Sequence, residues 1–388
     1  MTLIKDENQI RRKHIQNLLR QSDANACLIT SSVNIYYLTG QIFDGYLYLP
    51  QEGEALYFVR KPGAFTAENQ ILIRKPEDIP ARLHERSFPL PKILGLEAGQ
   101  LTYNEYIRLH TVFQPEKTIN ATGLLRQARM LKTPWEIEQF RWSAQKHKQA
   151  YSAIPSVFQS GMTDLEFQYE IERLMRQNGS IGIFRTFGSN MDIFMGSVLT
   201  GENAENASPC DFALGGGGAH PSLPIGANGT PIRDGQSVMV DMAGNFTAYM
   251  TDMTRVFACG NLPEEAIRAH QTSIEMHEWF RNNVKAGFAC SEIYRQSIRM
   301  AEATGFSGNF MGIKQQAKFV GHGVGIEINE LPVLTERSKE TLQAGMVFAY
   351  EPKFVLPKVG ALGIENTYLV TNEGLENLTD FPENIIPL

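Results

Sequence analysis

The chain has 388 residues, 43% hydrophobic and 20% charged, the balance of a soluble globular protein long enough for two domains. A formal charge of −6 and a pI near 5.8 exclude the basic surface that phosphate recognition needs, so no nucleic-acid partner is expected. The opening MTLIKDENQIRRKHIQNLLRQ is charged throughout, and no apolar run approaches the ~18 residues of a membrane span, so neither a leader nor a membrane partner is expected. Cys27, Cys210, Cys259 and Cys290 lie far apart without CxxC spacing, which suits reduced thiols in the cytoplasm.

Along the chain, residues 10–20 have the periodicity of an amphipathic helix. CLITS, YLYLP, ALYFVR and KILGLE are short apolar runs bounded by turn residues, the pattern of buried strands. Together they predict an α/β domain over residues 1–128. Thr133-Pro134-Trp135-Glu136 has the form of a capping box with proline at the first helical position. Ile137, Phe140, Ala144 and Tyr151 then share one helical face, so a second domain is expected over 129–388. Gly161, Glu166, Phe167 and Gly179 recur at the same offsets as Gly287, Glu292, Ile293 and Gly305. Such matches arise either from two similar halves or from helix caps alone. Residues 201–236 have the texture of loop, and the GGGG run at 215–218 lacks the Lys-Ser or Lys-Thr of a P-loop, leaving a turn beside a cleft.

The chemistry concentrates in four segments. SVMVDMAGNFTAYMTDMTRVF (237–257) predicts a hairpin turning near Gly244-Asn245, with Asp241 on one strand and Asp252 on the other. GHGVGIEINELP (321–332) sets His322 between glycines. Glu351 ends the apolar run of GMVFAYEPKF, and Glu365 interrupts ALGIENTYLV. Aspartate is depleted in strands, and a buried carboxylate is costly unless paired or bound to metal. No run of basic residues stands beside them to neutralise four acids, whereas a pair of divalent cations would. An oxygen-rich set with one imidazole suits manganese first, with cobalt, zinc or iron as alternatives, over copper. Two such ions acidify a shared water to a pKa of roughly 7. No protein nucleophile is then required, and the chain has no GxSxG motif to supply one.

In order and spacing, VDMAGNFTAYMTDMTR, GHGVGIEINELP, GMVFAYEP and LGIENTYLVTNEG resemble the motifs of the pita-bread metallopeptidases: methionine aminopeptidase, aminopeptidase P and prolidase. SSVNIYYLTG (31–40) is similar to the N-terminal domain shared by aminopeptidase P, prolidase and creatinase, and RMLKTPWEIEQFRWSA (129–144) to the segment opening their catalytic domain. The resemblance implies a creatinase/prolidase-type α/β domain, then an α+β pita-bread catalytic domain with an internal pseudo-two-fold repeat, in a homodimer. It implies that Asp241 chelates one ion, that His322 and Glu351 hold the other, and that Asp252 and Glu365 bridge them. Glu351 is also expected to handle the nucleophile's proton.

The chain departs from that pattern around the substrate. Where prolidase-like enzymes usually have Pro-His it has Pro224-Ile225, and Asn329 replaces a histidine seven residues after the ligand. Lys318 stands where another histidine precedes the ligand, and Gly363 where an arginine is common. Removing one oxyanion donor typically costs about 10²–10³ in rate. Asn329 remains a hydrogen-bond donor, and His220 is either a substitute donor or a surface loop residue. The expected function is a dinuclear-metal exopeptidase removing an N-terminal residue from Xaa-Pro peptides or dipeptides. The alternatives are a metal-dependent hydrolase or lyase acting on a non-peptide small molecule, and a binding homologue without catalysis.

Overall fold

The apolar runs of the N-terminal third pair into one sheet. The computed structural model describes residues 2–61, 67, 69–188, 195–210 and 212–388, with side chains from Asp6 onward, and divides into two compact units, Met1–Arg129 and Met130–Leu388. The first unit contains β1 (Ala26–Ile29), β2 (Asp44–Pro50), β3 (Leu56–Lys61), β4 (Gln70–Leu72), β5 (Ile93–Leu96) and β6 (Lys117–Asn120) in the sheet order β4-β3-β2-β1-β5-β6. The β1–β2 and β2–β3 pairs are antiparallel, and the others parallel. Helices α1 (Thr2–Gln21), α2 (Ser32–Thr39), α3 (Ile79–Glu85), α4 (Tyr103–Phe113) and α5 (Thr122–Met130) complete it. The sheet buries Leu28, Phe58, Leu94 and Leu96 with Leu109 and Phe113 of α4. The first helix begins well before residue 10. Residues 5–9 are polar and carry no apolar stripe, but lysine, glutamate and glutamine are good helix formers, and Glu7 pairs with Arg11 one turn on at 2.9 Å.

The second unit opens with α6 (Pro134–Ala153), whose capping box joins Thr133 and Glu136, and α7 (Asp164–Gln177). Strands β7 (Gly196–Thr200), β8 (Gln236–Gly244) and β9 (Thr251–Cys259) follow, then α8 (Glu264–Asn283) and α9 (Cys290–Ala303). The chain ends with β10 (Phe319–Gly323), β11 (Glu330–Thr335), β12 (Val347–Tyr350), β13 (Lys353–Leu356), β14 (Gly360–Gly363), β15 (Asn366–Val370), β16 (Leu375–Asn377) and β17 (Ile386–Pro387). These make a four-stranded sheet β17-β9-β8-β7, a five-stranded sheet β11-β10-β12-β15-β16, and the β13–β14 ribbon. Tyr151, Phe167 and Ile171 pack under Val198, Val240 and Phe257, while Phe280 and Ile293 pack under Val320, Phe348 and Tyr368. The echo in the sequence therefore corresponds to structure. The helices α7 and α9 are both 14 residues long, and the residue before each forms an isolated bridge, Thr163 to Pro231 and Ala289 to Thr341. The four cysteines are all free. No helix among the described residues is long and apolar enough to cross a membrane.

His147 on α6 illustrates how this core responds to acid. It is buried, its Nδ1 lies 3.0 Å from Thr251 Oγ1, and burial with Arg255 nearby lowers its pKa to about 3. The unfolded chain protonates this histidine near pH 6.5 and the folded one does not, so stability is lost as pH falls below that value. Between pH 8 and pH 5 the expected loss from His147 alone is about 2 kcal/mol. His147→Asn should reduce the pH dependence of the urea midpoint by that amount; an unchanged dependence would mean that the ring is not held neutral.

Candidate functional site

The hairpin β8–β9 supplies the first two acids. Its register sets Asp241 opposite Thr254 and Ala243 opposite Asp252, and the two-residue alternation of a strand then puts Asp241, Asp252 and Thr254 on one face. On the opposite side Tyr151 of α6 fixes this register. Its hydroxyl donates to Met253 O at 2.6 Å and accepts from Met242 N–H at 3.1 Å, the residues that follow each aspartate.

Glu365 enters between β14 and β15, where it forms an isolated bridge with Thr254 and accepts the Thr254 hydroxyl at 2.8 Å. Arg255 anchors the same segment, donating from Nη1 to Glu365 O at 2.9 Å and from Nη2 to Asn366 Oδ1 at 2.8 Å. Underneath, α8 presents His270, Ser273 and His277 on one side. Ser273 donates to Pro352 O and accepts from Ile364 N–H; His270 accepts from Gly363 N–H; His277 Nε2 bonds Ile364 O. These three residues hold the main chain beside Glu351 and Glu365. The sequence contains the signal, polar residues spaced by three and four along an otherwise buried helix face.

His322 sits on β10, with Ala349 of β12 as its cross-strand partner. Its Nδ1 lies 3.2 Å from Gly323 O, so the Nδ1–H tautomer donates there and leaves the Nε2 lone pair directed at the acids. From Nε2 it is 3.5 Å to Glu351 Oε1 and 3.8 Å to Asp252 Oδ2. The loop after it is tied at two points. Glu330 accepts Ile326 N–H at 3.0 Å and pairs with buried Lys132 at 3.2 Å. The Asn329 amide bonds the main chain of Phe187 in both directions, at 2.7 and 2.8 Å.

Asp252, His322 and Glu365 each offer a ligand atom within 4.8 Å of the other two. Glu365 Oε1 is buried with no hydrogen-bond partner, which is costly for a carboxylate unless a cation faces it. Burial, together with the neighbouring acids, raises the carboxyls of Asp252 and Glu365 well above the usual range. Such a set fits one divalent ion.

No run of basic residues accompanies the acids, but a single buried lysine stands among them. Lys353, two residues after Glu351, is fully buried, and its Nζ lies 2.9 Å from Asp241 Oδ2, 2.9 Å from Glu351 Oε2 and 2.8 Å from Glu365 Oε2. Burial pulls its pKa down, but the three carboxylates outweigh this and hold it well above the ordinary lysine value. The reason is strand geometry. In an extended segment residues two apart share a face, so a lysine following Glu-Pro points where the glutamate points. Gly363 makes room for it from the facing strand. It is the cross-strand partner of Lys353, has φ +114, and a Cβ there would meet Pro352 O at 2.6 Å and Lys353 Cα at 3.0 Å.

The substrate-side expectations fare differently. His220 is exposed, and its Nδ1 is engaged by Ser222 two residues on, in a local turn. Asn329 uses its amide to hold Phe187 in place. Ile225 is buried and Lys318 exposed. A cleft of about 310 Å³ is lined by Asn206, Phe212, Gly215, Lys318 and Phe319, and the Phe319 ring stands 6.3 Å from that of His322. The glycine run thus borders a cleft, as expected, though Gly215 and Gly216 are buried.

Comparison with known proteins settles the family. Residues 138–372 match the model of metallopeptidase family M24. The chain belongs to that family. Residues 11–131 match the creatinase/prolidase N-terminal domain. The M24 chain is 24% identical over 386 residues to an uncharacterized peptidase, YqhT, of Bacillus subtilis, covering 96% of this chain and 99% of that one. It is 23% identical over 379 residues to a Xaa-Pro dipeptidase of Pyrococcus horikoshii, covering 96% and 98%. Its fold superposes on a Xaa-Pro dipeptidase from Bacillus anthracis with a TM-score of 0.81 at 22% identity, covering 98% and 100% of the two chains. It also matches an X-Pro aminopeptidase from Thermotoga maritima with a TM-score of 0.75 at 20% identity, covering 94% and 98%. The fold is accordingly an α/β N-terminal domain followed by a pita-bread catalytic domain, and M24 membership makes the protein a hydrolase that uses divalent metal.

Proposed function

We propose that this M24 protein is an exopeptidase releasing the N-terminal residue of Xaa-Pro peptides or dipeptides. The single observation that carries the reading is the convergence of Asp252, His322 and Glu365, with a buried Glu365 oxygen that no protein group satisfies. In this reading the ligand cluster is Asp241, Asp252, His322, Glu351 and Glu365, with manganese the first candidate among divalent ions. When bound, such an ion supplies Lewis acidity towards a carbonyl oxygen and brings the pKa of water to roughly 7. Glu351 Oε1, on the His322 side, is placed to take the proton of the attacking water, while its Oε2 stays with Lys353. The cleft beside Phe319 receives the peptide. The domains of this reading are residues 1–128 and 129–388, supported by the two compact units.

A second reading has one specific observation in its favour. Two expected carbonyl donors are partly spent within the chain: the Asn329 amide bonds the main chain of Phe187, and His220 Nδ1 bonds Ser222. A metal-dependent reaction on a non-peptide small molecule would not need them. The test is incubation of manganese-loaded protein with Xaa-Pro dipeptides, longer Xaa-Pro peptides and Met-Ala peptides, read by mass spectrometry. Release of the first residue from Xaa-Pro substrates is expected, and peptide length then separates dipeptidase from aminopeptidase. Intact peptides throughout, with metal bound, would overturn the peptidase reading in favour of the second.

A further inference from the structure

Two cation positions can be traced in the acidic cluster, and the chain fills one of them itself. An ammonium has three N–H donors and no acceptor. Lys353 spends all three, one on each of Asp241, Glu351 and Glu365, at 2.8–2.9 Å. Each of the two glutamates gives this lysine its Oε2 only. Among the oxygens left over are Glu351 Oε1, 3.5 Å from His322 Nε2, Asp252 Oδ2, 3.8 Å from the same nitrogen, and Glu365 Oε1, buried without a partner. Glu351 and Glu365 therefore have one oxygen committed to the ammonium and one still uncommitted, as carboxylates do when they bridge two cations. The lysine is not loosely placed. It lies on β13 paired with β14, its main-chain oxygen accepts Met311 N–H at 2.8 Å, and its side chain is wholly enclosed.

We propose that the Lys353 ammonium is the resident second cation of this centre, so that the protein binds one divalent ion per chain, on the His322 side, where a dinuclear site would bind two. This inference rests on the metal-centre reading above and changes its stoichiometry. Asp241 becomes the counterion of the lysine instead of a metal ligand.

The experiment is metal analysis of protein saturated with Mn²⁺ and freed of excess, combined with electron paramagnetic resonance of the bound ion. The wild-type protein should hold one Mn²⁺ per chain with the spectrum of an isolated ion. Lys353→Ala, which removes the ammonium and opens its space, should hold two, with the spectrum of a coupled pair. Should that variant not fold, Asp241→Asn serves in its place: it should keep one ion, because Asp241 is not a ligand when Lys353 is present. Two ions in the wild-type protein, or loss of an ion in Asp241→Asn, would overturn the proposal while leaving the peptidase reading intact. No ion in the wild-type protein would overturn both, and cleavage of the peptide panel reports on the function separately.

Discussion

Asp252→Asn is expected to abolish hydrolysis while leaving the metal-free protein at least as stable as the wild type. Asp252 is buried against Asp241 and Glu351, and both burial and those charges work against its ionisation. Without metal, only the single charge of Lys353 offsets four acids. Replacing one of them by an amide of the same shape removes like-charge repulsion and a desolvation cost that runs to several kcal/mol for an ion in a dry interior. The main-chain bonds of Asp252 to Thr367 Oγ1, both 2.8 Å, remain. With metal the sign reverses, because a ligand is lost. Outer-shell partners of a metal typically cost about 10–100-fold when mutated, so loss of a ligand should exceed that range in kcat/KM. The measurement is a pair of urea titrations in chelator and one activity assay. A metal-free midpoint more than about 1 kcal/mol below wild type would show that the aspartate is a structural group instead.

Arg255→Met is expected to destabilise the fold by about 3–5 kcal/mol, the cost of breaking a buried, fully bonded charge network. Its guanidinium is wholly buried and donates to Thr254 O, Glu365 O, Asn366 Oδ1, Pro382 O, Phe381 O and Thr379 O. Burial lowers its pKa to about 10, so it remains charged at neutral pH. The fork joins β9, the start of β15 and the segment at 379–382, three pieces far apart in sequence. Removing it leaves five main-chain carbonyls and an amide oxygen to find other partners. Arg255→Lys should recover little, because one ammonium cannot span acceptors laid out for a planar fork. Urea unfolding of both variants decides the matter; a loss below about 1 kcal/mol in Arg255→Met would mean that water replaces these bonds freely.

The four acids and the histidine of the candidate site were legible because each breaks a local rule. Two aspartates interrupt a hairpin of otherwise apolar strands, and a histidine stands in a glycine turn. Lys353 was not legible by the same logic, since a lone lysine near the end of an apolar strand is ordinarily a solvated edge residue. The alternation that pairs it with Glu351 was present in EPKF, but only the facing Gly363 shows that the strand is covered on that side. The missing arginine at 363 and the lysine at 353 thus belong to one pair of facing positions. The contacts of Asn329 and His220 were not legible: their chemistry can be read from the sequence, whereas their bonds to Phe187 and Ser222 are set by loop conformation. The polar stripe His270, Ser273 and His277 went unremarked because α8 lies outside the motifs, although it holds the main chain beside Glu351 and Glu365.

The most direct measurement of the metal centre is an anomalous difference map at the manganese edge from crystals grown with Mn²⁺. The account predicts one peak, against His322 Nε2 with Asp252 and Glu365, while Lys353 stays among Asp241, Glu351 and Glu365. No peak at His322, with the acids paired to Lys353 alone, would contradict it.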